Sequence, residues 1–197
     1  MPYLKRDALC PEPIDCKILT AALDLFVERG FHNISIHEVQ QRADVSIGSI
    51  YNHFGGKEGV AKGLYYHILN EIDELVNAVL ASHSSPKEQY QEIIKQLFEH
   101  TETHRNIIAF MFHTKHSEFL SGEPVFCDTK PFVKIRGIVE QGIAQNEFLK
   151  QDLWVSTAVL FGSAYKMIQL RLDGNIKKPL PELYDQFMNT QFNGALV

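Results

Sequence analysis

The sequence has few cysteines. Its 197 residues include three, Cys10, Cys16 and Cys127, and no two of them have Cys-x-x-Cys spacing. A set this small and scattered excludes a disulfide framework and a thioredoxin-like motif. We interpret the three residues as buried or incidental thiols, with a redox switch as the alternative.

Long apolar runs are also missing. The most apolar stretches, residues 107–112 and 159–161, are much shorter than the roughly 20 residues that span a bilayer. The opening segment MPYLKRDALCPEP contains basic residues, but no apolar stretch follows them, so it lacks the pattern of an export signal. We therefore expect a cytoplasmic protein without a membrane span.

Excess positive charge is the third absence. The net charge is −5, with seven Lys or Arg against eight Asp or Glu in residues 1–63 and 12 against 16 in residues 64–197. Affinity for nucleic acid depends on where cations lie, because each neutralised phosphate releases counterions locally. Composition alone therefore leaves a nucleic-acid partner open.

What the sequence does contain is helical periodicity. Apolar residues recur on one face of residues 14–29, which predicts an amphipathic helix that Gly30 ends. A second long helix is predicted over 57–82, and residues 121–129 read as a loop. No segment alternates with period two for long enough to predict a strand, so the fold class is all-α. Five more helices are predicted, over 86–104, 106–120, 130–146, 152–173 and 180–195.

Two short helices joined by a tight turn are predicted between these long ones. Ser35 and Glu38 have the capping-box spacing and start a helix over 36–43, and Ser46 caps a second helix over 47–54. This is the arrangement of a DNA-binding helix-turn-helix. The alternative is two packed helices of an α-bundle with no DNA contact. The small core predicted to hold the two helices is Ile36, Val39, Ala43, Val45, Ile50 and Phe54.

Residues 18–65 contain a series of residues at fixed spacing that matches a known signature. They are Ala22, Leu25, Phe26, Gly30, Phe31, Val45, Ser46, Gly48, Ile50, Tyr51, His53, Phe54, Lys57 and Glu58. With these residues the segment resembles the N-terminal signature of the TetR family of transcriptional regulators. The resemblance implies an N-terminal three-helix DNA-binding domain over 1–56 and a larger C-terminal helical domain over 57–197 for ligand binding and dimerisation. Helix 57–82 would link the two.

The resemblance also implies which residues contact DNA. Tyr51, His53 and Lys57 would bind phosphates, and Ser35 would donate its hydroxyl or amide to one. Neutral donors and helix N-termini bind phosphate with little net positive charge, which is compatible with the acidic composition. Base contacts would fall to the positions that vary in the family. The predicted DNA-binding set is Ser35, Ser46, Ile47, Gly48, Ser49, Tyr51, Asn52, His53 and Lys57, with Ile47, Ser49 and Asn52 contacting bases.

Three positions depart from the family pattern. Asp44 stands where the turn usually has glycine, Gln40 stands where a small alanine lets the two helices approach, and Gly56 replaces a polar cap. Asp tolerates the left-handed conformation better than most residues, but at some cost. The first two departures leave the angle between the short helices open.

The C-terminal segment has the pattern of a dimer interface. Small residues on one helix face permit close approach of another helix, and one recognition helix alone reads too few bases for useful specificity. We expect a homodimer through the last two helices that binds a palindromic double-stranded operator, with an internal core face as the alternative. The residues concerned are Ser156, Ala158, Gly162, Ser163, Ala164, Leu183, Phe187, Met188 and Phe192.

Aromatic side chains are dense between residues 90 and 165, as an apolar small-molecule site requires. We predict an apolar or amphipathic effector that releases a repressor from its operator, with His113 or Lys115 as its polar anchor. The alternative is a packed core without a cavity. The predicted walls are Phe98, Phe112, Phe132, Phe161 and Tyr165.

Four histidines allow a different hypothesis. His100 and His104 are one helical turn apart, and His113 and His116 follow on the next predicted helix, which is compatible with a metal sensor or a helical metal-dependent hydrolase. No His-Glu-x-x-His sequence or Cys/His knuckle supports a metal site, and no nucleophile–base pair is evident. We therefore predict no catalytic residue, no bound metal and no cofactor.

Overall fold

A computed structural model of the chain describes residues 13–114, 116, 119–120 and 126–193. Within these ranges the secondary structure is helical, without a strand, as predicted. No helix in the same ranges is both long enough and apolar enough to cross a membrane. Cys10 and Lys115 lie outside the described residues. Cys16 is buried and Cys127 is exposed, and neither forms a disulfide within the described ranges.

The chain divides into two compact units. The first holds the described residues up to Ile72 together with those of 106–123, and the second holds 73–105 and those from 124 onwards. Helix α4 (Lys57–Ser82) contributes to both units. The functional boundary that we predict at residues 56 and 57 stays a prediction.

The first unit contains the short helices. It consists of α1 (Ile14–Arg29), a 3-10 turn (Phe31–Asn33), α2 (Ile36–Ala43), α3 (Ile47–Phe54), the first part of α4, and nearly all of α6 (Arg105–His113). The predicted caps are present: Gly30 ends α1 with φ 81°, Ser35 and Glu38 form a capping box, and the Ser46 hydroxyl accepts the Ser49 amide. The fully buried side chains of this unit include Ile18, Ala22, Phe26, Val39, Ile50, Val60 and Leu64.

The second unit is a helical assembly around α5 (Pro86–Thr103). Its other helices are α7 (Lys130–Ala144), α8 (Leu153–Thr157), α9 (Ser163–Leu172) and α10 (Tyr184–Asn193), with a π turn (Ala158–Gly162) joining α8 to α9 and a 3-10 turn (Leu180–Leu183) before α10. Its core is apolar and includes Tyr90, Ile93, Ile94, Phe98, Ile138, Val139, Ile168 and Leu180.

Side-chain bonds tie the helices of the second unit together. Glu102 on α5 accepts two hydrogen bonds from the Arg171 guanidinium on α9, of 2.9 and 2.7 Å, and a third from the Leu180 amide. The Arg171 bonds keep the pKa of the Glu102 carboxyl below its usual value. The Tyr90 hydroxyl donates to the Leu160 carbonyl inside the π turn, and burial raises the pKa of this phenol.

Two predicted helices end differently. The helix predicted over 106–120 ends at His113, because the chain turns back and the His116 imidazole donates to the carbonyl oxygen of Phe110. The helix predicted over 152–173 contains the π turn, which inserts a residue into the helical register. The remaining boundaries agree with prediction to within a few residues, and residues 194–195 of the last predicted helix lie outside the described part.

Candidate nucleic-acid interface

Helices α2 and α3 form the predicted helix-turn-helix. Val39, Ala43 and Ile50 are buried between these helices and α1, whereas Ile36 and Phe54 are half-buried. Asp44, in the turn, has φ 51° and ψ 53°, the left-handed conformation. The predicted small core therefore forms, and it fixes α3 against the rest of the first unit.

One face of α3 projects into solvent. Tyr51 is 54% exposed even though it is a large aromatic residue, and Gly48 presents no side chain at the same face. The Ser46 and Ser49 hydroxyls are 2.8 Å apart, so one donates to the other. Such short polar groups and aromatic polar tips suit the major groove and its flanking phosphates. The exposed residues are Ser46, Gly48, Tyr51, Asn52 and His53, and the half-exposed ones are Ile47 and Ser49.

Ser35 is engaged within the protein. Its amide donates to Glu38 Oε2 at 2.7 Å and its hydroxyl donates to the same atom at 2.8 Å, while Arg29 donates to Glu38 Oε1. These hydrogen bonds, that of the Ser35 amide foremost, lower the pKa of Glu38 to about 2. The predicted phosphate contact of Ser35 would have to replace the Glu38 carboxylate.

Lys57 also has internal partners. Its ammonium donates to the carbonyl oxygens of Phe31 and Ile34, at 3.1 and 2.9 Å, and lies 4.2 Å from the centroid of the Phe31 ring. Two of its three N–H groups thus connect the start of α4 to the segment that precedes α2. These two hydrogen bonds leave one N–H group of the ammonium for another partner. The predicted phosphate contact of Lys57 stays a prediction.

Two glycines with a role at this site were missed from the sequence. A Cβ atom on Gly59 would lie 1.6 Å from the Phe54 carbonyl oxygen, and one on Gly63 would lie 2.9 Å from the Phe54 ring. These glycines therefore allow the end of α3 to contact α4. Two glycines four residues apart inside a predicted helix were the available signal, since glycine there otherwise only weakens the helix.

Gln40, which the sequence marks as a departure from the family pattern, has a bond that the sequence did not predict. It donates from Nε2 to the Val45 carbonyl oxygen at 2.7 Å.

The helix-turn-helix segment matches a known protein family. The model of the bacterial regulatory proteins of the tetR family matches residues 18–67, the segment that holds α2, α3 and the start of α4. Residues 18–67 therefore carry the DNA-binding segment of the TetR family. This match supports a DNA-binding transcriptional regulator with a helix-turn-helix.

Relatives and solved structures agree with this assignment. The probable HTH-type transcriptional regulator YttP of Bacillus subtilis is 26% identical over 149 residues, 70% of this chain and 68% of that protein. The fatty acid metabolism regulator protein of the same organism is 24% identical over 151 residues, 75% of this chain and 77% of the relative. A crystal structure of the transcriptional regulator FadR from Bacillus subtilis in complex with stearoyl-CoA has a TM-score of 0.71 at 18% identity, and covers 91% of this chain and 98% of that one.

The predicted effector residues occupy different environments. Phe98 is buried in the second unit, where its ring lies 5.4 Å from that of Phe187, and Phe132 and Phe161 are half-buried. Phe112 and His113 belong to the first unit, with His113 exposed. Tyr165 is 37% exposed and its hydroxyl accepts from Gln169. These residues stay a predicted set.

The predicted dimer residues are likewise divided. Phe187 and Met188 of α10 are buried within their own unit, and Phe192 stacks on Phe148. Ser156 and Ala164 are buried too. The outward residues belong to α8, the π turn and α9. They are Trp154, Val155, Ala158, Val159 and Tyr165, beside a half-buried Gly162 whose added Cβ would meet nothing within 4 Å.

The histidine alternative finds no support. No group of three or more His, Cys, Asp or Glu side chains that could hold a metal occurs among the described residues. His100 and His104 have their Nδ1 atoms 3.2 Å apart, and His104 also lies 2.8 Å from the Thr103 hydroxyl. Burial lowers the pKa of His104 and of His116.

Proposed function

We propose that this regulator is a homodimeric repressor, acting in the cytoplasm, that binds a palindromic operator and is released from it by an apolar or amphipathic small molecule. The exposed polar face of α3 carries the DNA-binding part of the proposal. The exposed apolar face of α8 and α9 supports dimerisation, and the aromatic core of the second unit supports the effector.

On DNA, we assign phosphate contacts to Tyr51 and His53 and base contacts to Asn52, Ser49 and Ile47. Tyr51 and His53 belong to the C-terminal half of α3, and Asn52 lies between them in the sequence; all three are exposed. Lys57 and Ser35 then act mainly through the internal bonds described above. This division predicts two kinds of mutational effect, because phosphate contacts set the affinity for all sequences and base contacts set the preference.

The dimer face rests on the side of α8 and α9 that projects outward. Trp154 of α8 is 56% exposed and Val159 of the π turn is 53% exposed, which are large fractions for apolar side chains. Exposed contiguous apolar surface of this kind marks interaction sites in soluble proteins. The Arg136 guanidinium lies 4.7 Å from the centroid of the Trp154 ring, which holds the indole in place at the rim of this face.

For the effector, the aromatic cluster of the second unit supports a ligand with an apolar chain. The Tyr90 ring lies 5.1 Å from Phe161 and 6.1 Å from Phe148 in edge-on arrangements, and Phe98 and Phe132 add to the same unit. FadR in complex with stearoyl-CoA makes fatty acyl-CoA the first class to test. To change DNA occupancy about tenfold, a ligand needs only about 1.4 kcal/mol of preference for one protein conformation.

The experiment that tests the DNA reader is binding-site selection. The full chain is incubated with a library of random duplexes, and the enriched sequence is compared between variants. We expect wild-type protein to enrich two inverted half-sites about one helical turn apart or slightly more. Tyr51→Phe and His53→Ala should weaken binding to every duplex alike, whereas Asn52→Ala should alter the preference at one base, worth about 1–3 kcal/mol. An altered base preference in Tyr51→Phe would contradict the assignment.

The experiment that tests the sensor follows from the first. Stearoyl-CoA, palmitic acid and coenzyme A alone are titrated into the complex of the full chain with the enriched duplex, and release is followed by fluorescence anisotropy. We expect the first two to release DNA and coenzyme A alone to have no effect. Retention of DNA with every apolar compound tested would overturn the repressor-release step while leaving the DNA reader intact.

A further inference from the structure

Two hydrogen bonds of Gln40, one through its backbone and one through its side chain, close the turn between α2 and α3. The Gln40 carbonyl accepts the Val45 amide at 3.3 Å, and the Gln40 side chain donates from Nε2 to the Val45 carbonyl oxygen at 2.7 Å. Both peptide groups of Val45 are therefore held by one residue. We call this pair of hydrogen bonds the Gln40–Val45 clamp.

The backbone part of the clamp belongs to a common helix ending. The Val45 amide bonds to the carbonyl of residue 40, and the Asp44 amide bonds to that of Gln41 at 3.3 Å, which is the bond pattern of a Schellman motif. That motif places its left-handed residue at position 44, where glycine is favoured because it has no Cβ. Here the residue is Asp44, with φ 51°. The turn therefore has to keep Asp44 in the left-handed conformation, which its Cβ atom disfavours.

The side-chain part of the clamp is what this chain adds. An apolar contact frequently joins the residues at the two positions that Gln40 and Val45 occupy in this motif. Gln40 instead supplies a hydrogen bond from a partly buried amide, where a bond is worth more than in water. Val45 is immediately followed by Ser46, whose hydroxyl accepts a hydrogen bond from the Ser49 amide of α3 at 3.1 Å. A continuous series of bonds thus leads from α2 to the start of the recognition helix.

We propose that Gln40 is a positioning residue for base recognition: its clamp on Val45 compensates for Asp44 in the turn and fixes the direction in which α3 leaves it. The two departures from the family pattern at 40 and 44 are then one coupled feature. Gln40 touches no base itself. It acts through the orientation of Ser49 and Asn52.

The test compares specific with non-specific DNA binding. Affinities of the full-length protein are measured for the duplex enriched by selection with wild-type protein and for a scrambled duplex of equal composition. Gln40→Met keeps the length of the side chain and its helix propensity but removes the donor. Gln41→Met is the matched control, because it makes the same change at the next, exposed position of α2.

Gln40→Met should lower the ratio of the two affinities about three- to tenfold, the range of one lost hydrogen bond. Gln40→Ala, which also removes the donor, should do the same, and Gln41→Met should leave the ratio unchanged. A merely structural loss would instead reduce the folded fraction and weaken both affinities by one factor. An unchanged ratio in Gln40→Met, or an equal fall in Gln41→Met, overturns the proposal.

Coupling to Asp44 gives a second readout. Because glycine holds the left-handed conformation without strain, adding Asp44→Gly to Gln40→Met should bring the ratio back to within about twofold of wild type. If Gln40→Met costs the same factor with aspartate and with glycine at position 44, the compensation step is wrong.

Discussion

The two units of this regulator use their polar groups in opposite ways. In the first unit, the cations and hydroxyls around the helix-turn-helix bond to neighbouring carbonyls and carboxylates, as Lys57, Ser35 and Arg29 do, and one polar face is left for DNA. In the second unit, polar bonds such as that of Glu102 with Arg171 join helix ends, and an apolar face is left exposed. Base recognition requires a fixed angle between the recognition helix and the rest of its unit, whereas subunit association requires a large apolar contact area.

Adding a methyl group at Gly59, in the first unit, should have the largest effect on stability and DNA binding. Gly59→Ala would place Cβ 1.6 Å from the Phe54 carbonyl oxygen, a backbone atom that cannot rotate away. We expect the first unit to lose about 3 kcal/mol or more of stability, or α3 to shift, with loss of operator binding in either case. Thermal unfolding and DNA anisotropy measure both effects.

Gly137→Ala in the second unit is the matched control. This glycine also lies inside a helix, α7, but a Cβ atom there would meet nothing within 4 Å. Alanine should raise stability by about 0.5–1 kcal/mol, since glycine costs that much in a helix. Equal effects of the two substitutions would mean that the close contact of α3 with α4 is not needed.

The glycine contact shows where sequence reasoning reached its limit. The caps at Ser35 and Ser46 and the end of α1 at Gly30 were predictable, because each depends on residues within a few positions of one another. The role of Gly59 depends on a contact made after the helices fold, and so do the partners of Lys57, 26 and 23 residues away. Periodicity likewise predicted the helix over 152–173 but not its π turn. The hydroxyl of Tyr90, 70 residues earlier in the sequence, donates a hydrogen bond to a carbonyl of that turn.

A charge on the apolar face tests the second unit. Gly162→Glu adds a carboxylate at a position where the new Cβ atom would meet nothing within 4 Å, so the unit should still fold. Across a dimer interface the same carboxylate would be desolvated without a partner, at a cost of about 3 kcal/mol or roughly a 100-fold weaker dimer. Sedimentation equilibrium measures the change.

Leu149→Glu serves as the control for this substitution. Leu149 is 80% exposed in the same unit but belongs to the segment between α7 and α8 and not to the residues of the proposed face. Its variant should dimerise as the wild type does. A wild-type protein that is monomeric at micromolar concentration would remove the dimer from the proposal.

The internal brace at Lys57 is expected to have a smaller effect. Lys57→Met removes two hydrogen bonds to carbonyl oxygens and the contact with the Phe31 ring, so the free energy of unfolding should fall by about 1–3 kcal/mol. DNA binding should weaken with the salt dependence unchanged, because no phosphate contact is lost. A salt slope reduced by about one would instead assign Lys57 to a phosphate.

The smallest expected effect concerns the capping box and pH. The Ser35 amide and hydroxyl and the Arg29 guanidinium lower the pKa of Glu38 to about 2, against a value near 4.5 for the free side chain. A carboxyl with a lowered pKa in the folded state stabilises the fold fully above about pH 4.5, and that contribution disappears as the pH falls towards 2. Wild-type protein should therefore unfold at a higher temperature than Glu38→Gln at pH 7, and the difference should shrink steadily below about pH 5. Ser35→Ala removes one donor and keeps the carboxylate. Its unfolding temperature should differ less from that of wild type, and that smaller difference should also shrink below about pH 5.

A difference between wild type and Glu38→Gln that stays constant from pH 7 to pH 2.5 would show that the carboxylate charge contributes nothing at the start of α2, and that its two bonds with Ser35 act as neutral hydrogen bonds.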